Sequence, residues 1–341
     1  MCRIAVPNWV LRRLLQTRLV PISEVRYQNR SLKIAFTSHF HQTIAVRPML
    51  TLFTCPKPFE GHIGLIQRNA LLSWQRLRPV CEVILVGKEP GLAEFATEHK
   101  FTHVSDIERN EYGTPLISSI FAQAESAARF DLLAYVNADI ILFDDFLAAL
   151  RKLSMPRFLA VGRRLDIRID EPLDFEDEGW PAKLIASAES AGRMNIPWAM
   201  DYFAYTRGAW AEIPPFAIGR FGFDNWLVYG AKQHDTPIVD LTDAVTVIHQ
   251  NHDYARTPGF EVTNRNSPEI LRNLQLCGAG EDYGVRDADW RLIVNDVAKS
   301  PAGVDLAQAL QLEPNKARYL ASCKRMLRKM LGKSQPWRKA A

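Results

Sequence analysis

Solid apolar runs alternate with longer periodic stretches between residues 49 and 136. Residues 49–54 (MLTLFT), 81–86 (CEVILV) and 132–136 (LLAYV) are dense in apolar side chains, and each ends at a polar or proline-containing break. Runs of this length and density predict strands buried on both faces, and residues 102–105 predict a shorter one. Between the runs, Ile63, Ile66, Leu71, Trp74 and Leu77 recur at roughly helical spacing. Residues 91–99 predict a second helix, and Pro115 opens a third that reaches about residue 128. Strand and helix taking turns in this way predict an α/β fold with a mainly parallel central sheet and helices on both faces. Ligands of such sheets bind beyond the carboxyl ends of the strands, here Thr54, Gly87 to Glu89, Ser105 with Asp106, and Asn137 to Asp139.

The pattern loosens after residue 150. Residues 158–161, 199–205, 237–240 and 246–249 predict strands and 225–233 a helix, while 165–180 reads as an acid-rich loop and 256–300 as irregular and polar. One continuous sheet is expected across residues 48–256, preceded by a basic segment and arm over 1–47 and followed by an irregular and helical extension over 257–341. Within that extension Leu320, Cys323, Leu327, Met330 and Leu331 line one face of a basic amphipathic helix over 316–333.

Composition narrows the class. With 47% hydrophobic and 23% charged residues, the 341-residue chain is an ordinary globular protein, not a disordered or fibrous one. No stretch approaches the ~20 apolar residues of a membrane span, and Arg12 and Arg13 interrupt the apolar N-terminus, so no secretory signal is expected. Five widely spaced cysteines without a Cys-x-x-Cys pair argue against a disulfide framework or structural zinc, and for a cytoplasmic location. The net charge of +4 conceals an asymmetry: residues 1–20 hold four arginines, residues 316–341 hold nine Lys/Arg, and neither end holds an acid. That leaves 29 basic against 38 acidic side chains in between, a body of net −9. An acidic body with no recognised motif excludes nucleic acid as a partner. The basic helix suits either a peripheral position on the inner face of an anionic membrane or docking on the acidic body.

The sharpest chemical feature is Tyr135-Val136-Asn137-Ala138-Asp139-Ile140. Asn137 and Asp139 are oxygen donors suited to Mg2+ or Mn2+, and a one-residue gap points both to one side of an extended chain. The plainer reading is an Asx-rich turn ending a strand. Thr54 and Glu89, after two other strands, are placed for nucleotide contacts, with Glu89 able to take a ribose hydroxyl or a pyrimidine edge; a simple polar turn explains Glu89 equally well. Thr114 lies beside Pro115 at a helix start, where backbone amides face anions, and an ordinary cap accounts for the same residues.

Together the strand ending Thr54-Cys55-Pro56, the turn Gly87-Lys88-Glu89, the helix start Gly113-Thr114-Pro115-Leu116 and the Asn137-Ala138-Asp139 strand end resemble the nucleotide-binding half of A-type (nucleotide-diphospho-sugar) glycosyltransferases, bacterial family-2-like. The downstream stretches Asp201-Tyr202-Phe203, 218–226 and 248–254 resemble the same proteins, so the likeness spans roughly residues 48–256. It implies a nucleotide half to about residue 150 and an acceptor half after it. Asp139 would hold a Mn2+ or Mg2+ ion against the diphosphate of a nucleotide-sugar, most simply a UDP-sugar, although this chain has Asn137 where the usual motif has its first Asp. Asn137 and Ala138 would then touch the donor with Thr54, Glu89 and Thr114. The resemblance further implies Asp224 as the general base of an inverting transfer to a saccharide or lipid-linked acceptor; an N-cap is its structural alternative. His249 is the implied second metal ligand, with His252 as the alternative. Arg163, Arg164 and Arg220 are candidates to neutralise the diphosphate, and Trp180, Trp198, Tyr202 and Trp226 are sugar-stacking candidates that fit a core equally well.

Two other classes stay in view. A nucleotidyltransferase on a similar sheet needs a Gly-rich phosphate loop after the first strand, which Cys55-Pro56-Lys57-Pro58 does not supply. A non-enzymatic peripheral scaffold would use the basic ends alone.

Overall fold

The computed structural model describes residues 50–252, 267–294, 310–315 and 325–326. The solid apolar runs form neighbouring strands. β1 (Leu50–Thr54) leads through α1 (Gly61–Gln75) to β2 (Glu82–Val86), then through α2 (Leu92–His99) to β3 (Thr102–Val104), and through α3 (Ile117–Ala127) to β4 (Leu132–Val136). β1 pairs in parallel with both β2 and β4, and β2 with β3. The chain continues through β5 (Ile140–Leu142), α4 (Asp144–Arg151), β6 (Leu159–Val161), β7 (Leu165–Ile167), α5 (Trp180–Ala191), β8 (Arg193–Met194) and β9 (Tyr202–Thr206). It ends with α6 (Phe223–Gln233), β10 (Ile238–Asp240), β11 (Val247–Gln250), α7 (Pro268–Cys277), β12 (Trp290–Val294) and β13 (Leu310–Pro314).

Nine strands form one sheet in the order β13-β12-β10-β6-β9-β4-β1-β2-β3, in which β9 and β13 run against the rest. The expected mainly parallel sheet is present and crosses residue 150 without a break. Its two faces are read off β4: Ala134 and Val136 join Leu71 and Trp74 of α1 and Phe146 of α4, while Leu133 and Tyr135 join Ile120 and Phe121 of α3 and Leu227 of α6. Period-two alternation sends neighbours to opposite faces, so a strand buried on both must be apolar throughout. A second sheet, β5-β11-β7-β8, lies where β4 hands over to β5.

Two expectations change. The stretch 165–180 is not all loop, because β7 pairs in parallel with β11 and α5 opens at Trp180. The region 256–300 is not irregular throughout: α7 occupies 268–277, and β12 joins the central sheet beside β10. Both additions are short or half-polar, and they gain their stability from partners far away in sequence. The arm over 1–47 lies outside the described residues, as does the basic helix apart from Arg325 and Met326. Arg325 pairs with Asp287 at 2.6 Å and covers the Tyr283 ring. No helix among the described residues is long and apolar enough to cross a membrane.

Candidate active site

The chain turns sharply between β4 and β5, and that turn presents Asp139. Asn137 N–H donates to Asp201 O at 2.8 Å, extending the β4–β9 ladder by one rung, and Ile140 N–H donates to Asn137 O at 3.1 Å to close the turn. The end of β11 is stitched onto the same spot. Gln250 donates to the Asp139 carbonyl through its backbone N–H (3.2 Å) and its Nε2 (3.1 Å), while Asn69 of α1 donates to Gln250 Oε1 at 3.1 Å. His249 and His252 flank Gln250 in the chain, so this stitching delivers both imidazoles to the carboxylate. Asp139 Oδ2 lies 3.5 Å from His249 Nε2 and 3.1 Å from His252 Nε2. One donor atom from each of the three residues falls within 4.8 Å of the others.

Asn137 does not point with Asp139. Its Nδ2 donates to Asp201 Oδ1 at 2.6 Å, so the same-side geometry expected of an extended Asn-x-Asp is replaced by a turn that spends the amide on β9. Burial by itself would raise the Asp139 carboxyl, but the two imidazoles facing it hold it well below the usual carboxylate range. For His249 the balance runs the other way: burial opposes its charge, yet Asp139 and Asp166 raise its pKa. Asp139 Oδ1 is buried and has no hydrogen-bond partner. A buried, ionised oxygen in that state fits a cation's ligand. One carboxylate with two imidazoles suits a borderline ion such as Mn2+ better than Mg2+, which favours oxygen donors throughout.

A cleft of about 430 Å³ opens over this trio. Its walls come from the strand ends, as in other open α/β sheets: Cys55 to Pro58 after β1, Glu89 after β2, Tyr112 to Pro115 ahead of α3, and Asn137 to Asp139 after β4. Glu89 is paired with Arg109 at 2.8 Å, and Arg109 also donates to Gly113 O at 2.9 Å, which ties the β2 wall to the α3 wall. The Lys57 ammonium faces the same space, pulled below its ordinary pKa by burial while Asp139 opposes the shift.

The far wall is residues 218–221 together with Asp224, in the first turn of α6. Gly222 enters that helix with φ 106°, a left-handed conformation that favours glycine, and a Cβ there would sit 3.2 Å from Cys277 Cβ. α7 braces the wall from behind. Asn273 accepts from Ala217 N–H and donates to Ala217 O, both at 2.9 Å, and the Cys277 thiol donates to Gly222 O at 3.2 Å. Glu269 takes a buried ion pair from Arg220 at 2.7 Å. Burial pushes the Asp224 carboxyl up to about 6, with the backbone amides of Asn225 and Gly222 pulling it down.

The structure therefore gathers Glu89, Thr114, Asn137, Ala138, Asp139, Asp224 and His249 around one cleft, and adds His252. Two of the candidates stand elsewhere. Thr54 is fully buried at the end of β1 and does not line the cleft. Arg163 donates to Asn195 O at 2.7 Å and does not line it either, whereas its neighbour Arg164 turns inward to Asp166 and Asp201. The two arginines lie in the short link between β6 and β7, and only the pairing of β7 reveals which faces in. The four aromatic candidates are absent from the walls: Tyr202 lies in the core, Trp180 packs on Phe143 and Phe175, and Trp226 packs on Phe216. Sequence reasoning missed Arg109, Asp166 and Asn195, whose partners are set by pairings across the fold and carry no local signal.

The glycosyltransferase resemblance implies a mainly parallel α/β sheet with a carboxylate and one imidazole at the mouth of its strands; the structure has the sheet, and brings both histidines to Asp139. No protein-family model matches the sequence, and no curated protein matches it. Among solved structures, the chain overlays on glucosyl-3-phosphoglycerate synthase from Mycobacterium tuberculosis in complex with Mn2+, uridine diphosphate and phosphoglyceric acid, at 16% identity over 69% of this chain and 80% of that one, with a TM-score of 0.41. It also overlays on mannosyl-3-phosphoglycerate synthase from Rubrobacter xylanophilus, at 18% identity over 79% and 85% of the two chains with a TM-score of 0.40. A third is TarS 1–349 from S. aureus, at 12% identity over 68% and 70% with a TM-score of 0.42. These overlays are distant, and the functional reading rests on the geometry of the cleft.

Proposed function

We propose that the protein is a metal-dependent, inverting glycosyltransferase that moves a sugar from a nucleotide-diphospho-sugar to an acceptor hydroxyl. The observation that carries this reading is the pairing, across one cleft, of a metal-ready Asp139–His249–His252 cluster with a carboxylate tuned to about 6. A base of that strength is ionised at neutral pH and still takes a proton readily. Asp224 accepts the acceptor's hydroxyl proton as that oxygen forms its bond to the anomeric carbon. The bond from that carbon to the phosphate oxygen breaks, and the nucleoside diphosphate leaves with the electron pair. A bound Mn2+ would supply positive charge to the departing diphosphate, held by Asp139, His249 and His252. Lys57 and Arg220 extend that positive lining. Glu89, fixed by Arg109, and Thr114 form the end of the cleft where the nucleoside would lie. The finer reading takes a UDP-sugar as donor, a saccharide or lipid-linked acceptor, and a cytoplasmic protein whose segment 316–341 rests on an anionic membrane surface.

Incubation with a panel of nucleotide-sugars and Mn2+, with release of free nucleotide as the readout, tests the proposal. Release that depends on Mn2+ and vanishes in Asp139→Ala is expected. Failure of every donor to bind in the presence of Mn2+ would overturn it, and retention of the donor's anomeric configuration in the product would remove the inverting mechanism.

A further inference from the structure

The cleft has an aromatic end and a cationic end, and one residue of α7 holds both from outside. Glu269 is buried and does not line the cleft. Its Oε2 accepts from Arg220 Nε at 3.0 Å and Nη2 at 2.7 Å, and its Oε1 accepts from Asn110 Nδ2 at 2.7 Å. Burial works against its charge, yet bonds from Thr114, Asn110 and Arg220 keep its carboxyl below the ordinary value. Of these partners, Thr114 and Arg220 line the cleft.

Asn110 carries the hold into a tight turn. Its Oδ1 accepts the N–H groups of Tyr112 at 3.0 Å and Thr114 at 2.9 Å. Asn110 N–H donates to Thr114 O, and Gly113 N–H to Asn110 O, both at 2.9 Å. Gly113 supplies the left-handed conformation, φ 81°, that lets the turn close. The turn presents Tyr112, which lines the cleft and is 58% exposed. No other aromatic side chain among the described residues is exposed. An aromatic face on a rigid turn suits stacking with a planar ring, and accepts any nucleobase. The turn and the Arg220 segment are also joined at their roots, where Ile218 N–H donates to Pro115 O at 3.0 Å and Ile117 N–H to Phe216 O at 2.8 Å. Glu269 reaches what the roots do not, the Asn110 amide under the turn and the head of the arginine.

We infer that Glu269 is a positioning residue that holds the Tyr112-bearing turn and the Arg220 guanidinium in one frame, matched to a ligand with a planar ring at one end and a phosphate at the other. The inference rests on the nucleotide-diphospho-sugar reading given under Proposed function. A frame set in advance favours binding because side chains ordered only on association subtract from affinity. Glu269→Gln is informative because Asn110 and Arg220 both act as donors toward this carboxylate. The Asn110 amide cannot reverse without giving up two backbone N–H groups, and a guanidinium has donors only. In Glu269→Gln the amide nitrogen is one more donor, and it opposes either Asn110 or Arg220.

Calorimetry of the full chain with Mn2+ measures the affinity for UDP and for inorganic pyrophosphate in wild type, Glu269→Gln and Asn110→Ala, with thermal melting of each. Pyrophosphate offers the charge of the diphosphate without the ring. UDP affinity is expected to fall roughly tenfold in both variants, the worth of ordering one or two loose side chains on binding. Pyrophosphate affinity should fall in Glu269→Gln, which loosens Arg220, and stay at the wild-type value in Asn110→Ala, which loosens only the turn. UDP affinity unchanged in either folded variant overturns the inference, and a lowered melting temperature beside it would reduce Glu269 to a structural brace. Asn110→Ala decides alone if Glu269→Gln does not fold. Equal losses of UDP and pyrophosphate in Asn110→Ala also overturn it, because the turn would then not serve the ring. Failure of the wild type to bind UDP with Mn2+ would instead remove the UDP-sugar reading, and the inference falls with it.

Discussion

Asp224→Asn should make the protein more stable and far less active at the same time. The side chain sits in the first turn of α6 with its carboxyl raised from 3.8 to about 6. A raised pKa means that the folded state binds this proton more tightly than the unfolded chain does. Its stabilising contribution is full below about pH 4 and is lost as pH rises through about 6. At neutral pH the ionised carboxylate therefore costs stability. Two pH units at about 1.4 kcal/mol each set an upper bound of roughly 3 kcal/mol. An amide of the same shape escapes that cost and can still accept the backbone N–H of Asn225. With about 2–4 °C per kcal/mol for a domain of this size, melting at pH 8 should rise by several degrees over wild type. The gain should fade toward pH 5, where the wild-type group is already largely protonated. Turnover should meanwhile drop by roughly 10²–10⁴-fold, the usual worth of a general base, with donor binding retained. Melting curves at the two pH values and nucleotide release by the same preparations make the test. Equal melting at pH 8, or turnover close to wild type, would refute the assignment of a base raised by burial.

Other outcomes follow from the same geometry. Wild-type turnover should fall about tenfold per pH unit below about 6, as Asp224 takes up its proton; a flat acid limb would contradict this. Asp139→Ala should lose divalent-dependent UDP binding in calorimetry without loss of fold, since the side chain lines the cleft in the turn after β4 and packs in none of the hydrophobic clusters. Arg220→Ala should destabilise by about 3–5 kcal/mol because it strands the buried Glu269 carboxylate, and denaturant unfolding measures it; a change under 1 kcal/mol would mean that Asn110 and Thr114 suffice to hold Glu269. Removal of 316–341 should leave a folded protein that no longer co-floats with anionic vesicles, and no flotation by the full chain at physiological salt would dismiss the membrane reading.

How much of this was legible in the sequence depends on range. β1, β2 and β4 announce themselves because a strand buried on both faces must be apolar at every position, and such a run is visible without knowing its neighbours. Asp139 was legible for the same reason: an acid directly after a buried run stands at the mouth of the sheet. The histidines at the end of β11 were legible as a pair of ligand types, but their approach to Asp139 depends on Gln250 bonding to a carbonyl 111 residues away. β7 and β12 were not legible. β7 is three residues long with an acid at its centre, and β12 carries Arg291 between Trp290 and Leu292, so neither shows a run or a clean alternation. The contacts of Asp166 and Asn195 could not be read before β7 was known. Local pattern supplied the frame and the first carboxylate; register supplied the surroundings that tune it.

The bracing of residues 217–222 by α7 bears on how this protein could be divided or could diverge. A chain stopped at residue 256 would contain every proposed catalytic group, yet it would lack Glu269, Asn273 and Cys277, which hold Arg220, Ala217 and Gly222 from behind. The wall would then have to hold its left-handed glycine and its buried arginine unaided, and Asp224 would lose the fixed approach that aims it. β10 would also become the outer strand of the sheet. The Asp224 wall thus borrows its rigidity from a helix some fifty residues downstream, and changes in α7 can shift that wall without altering any residue that lines the cleft.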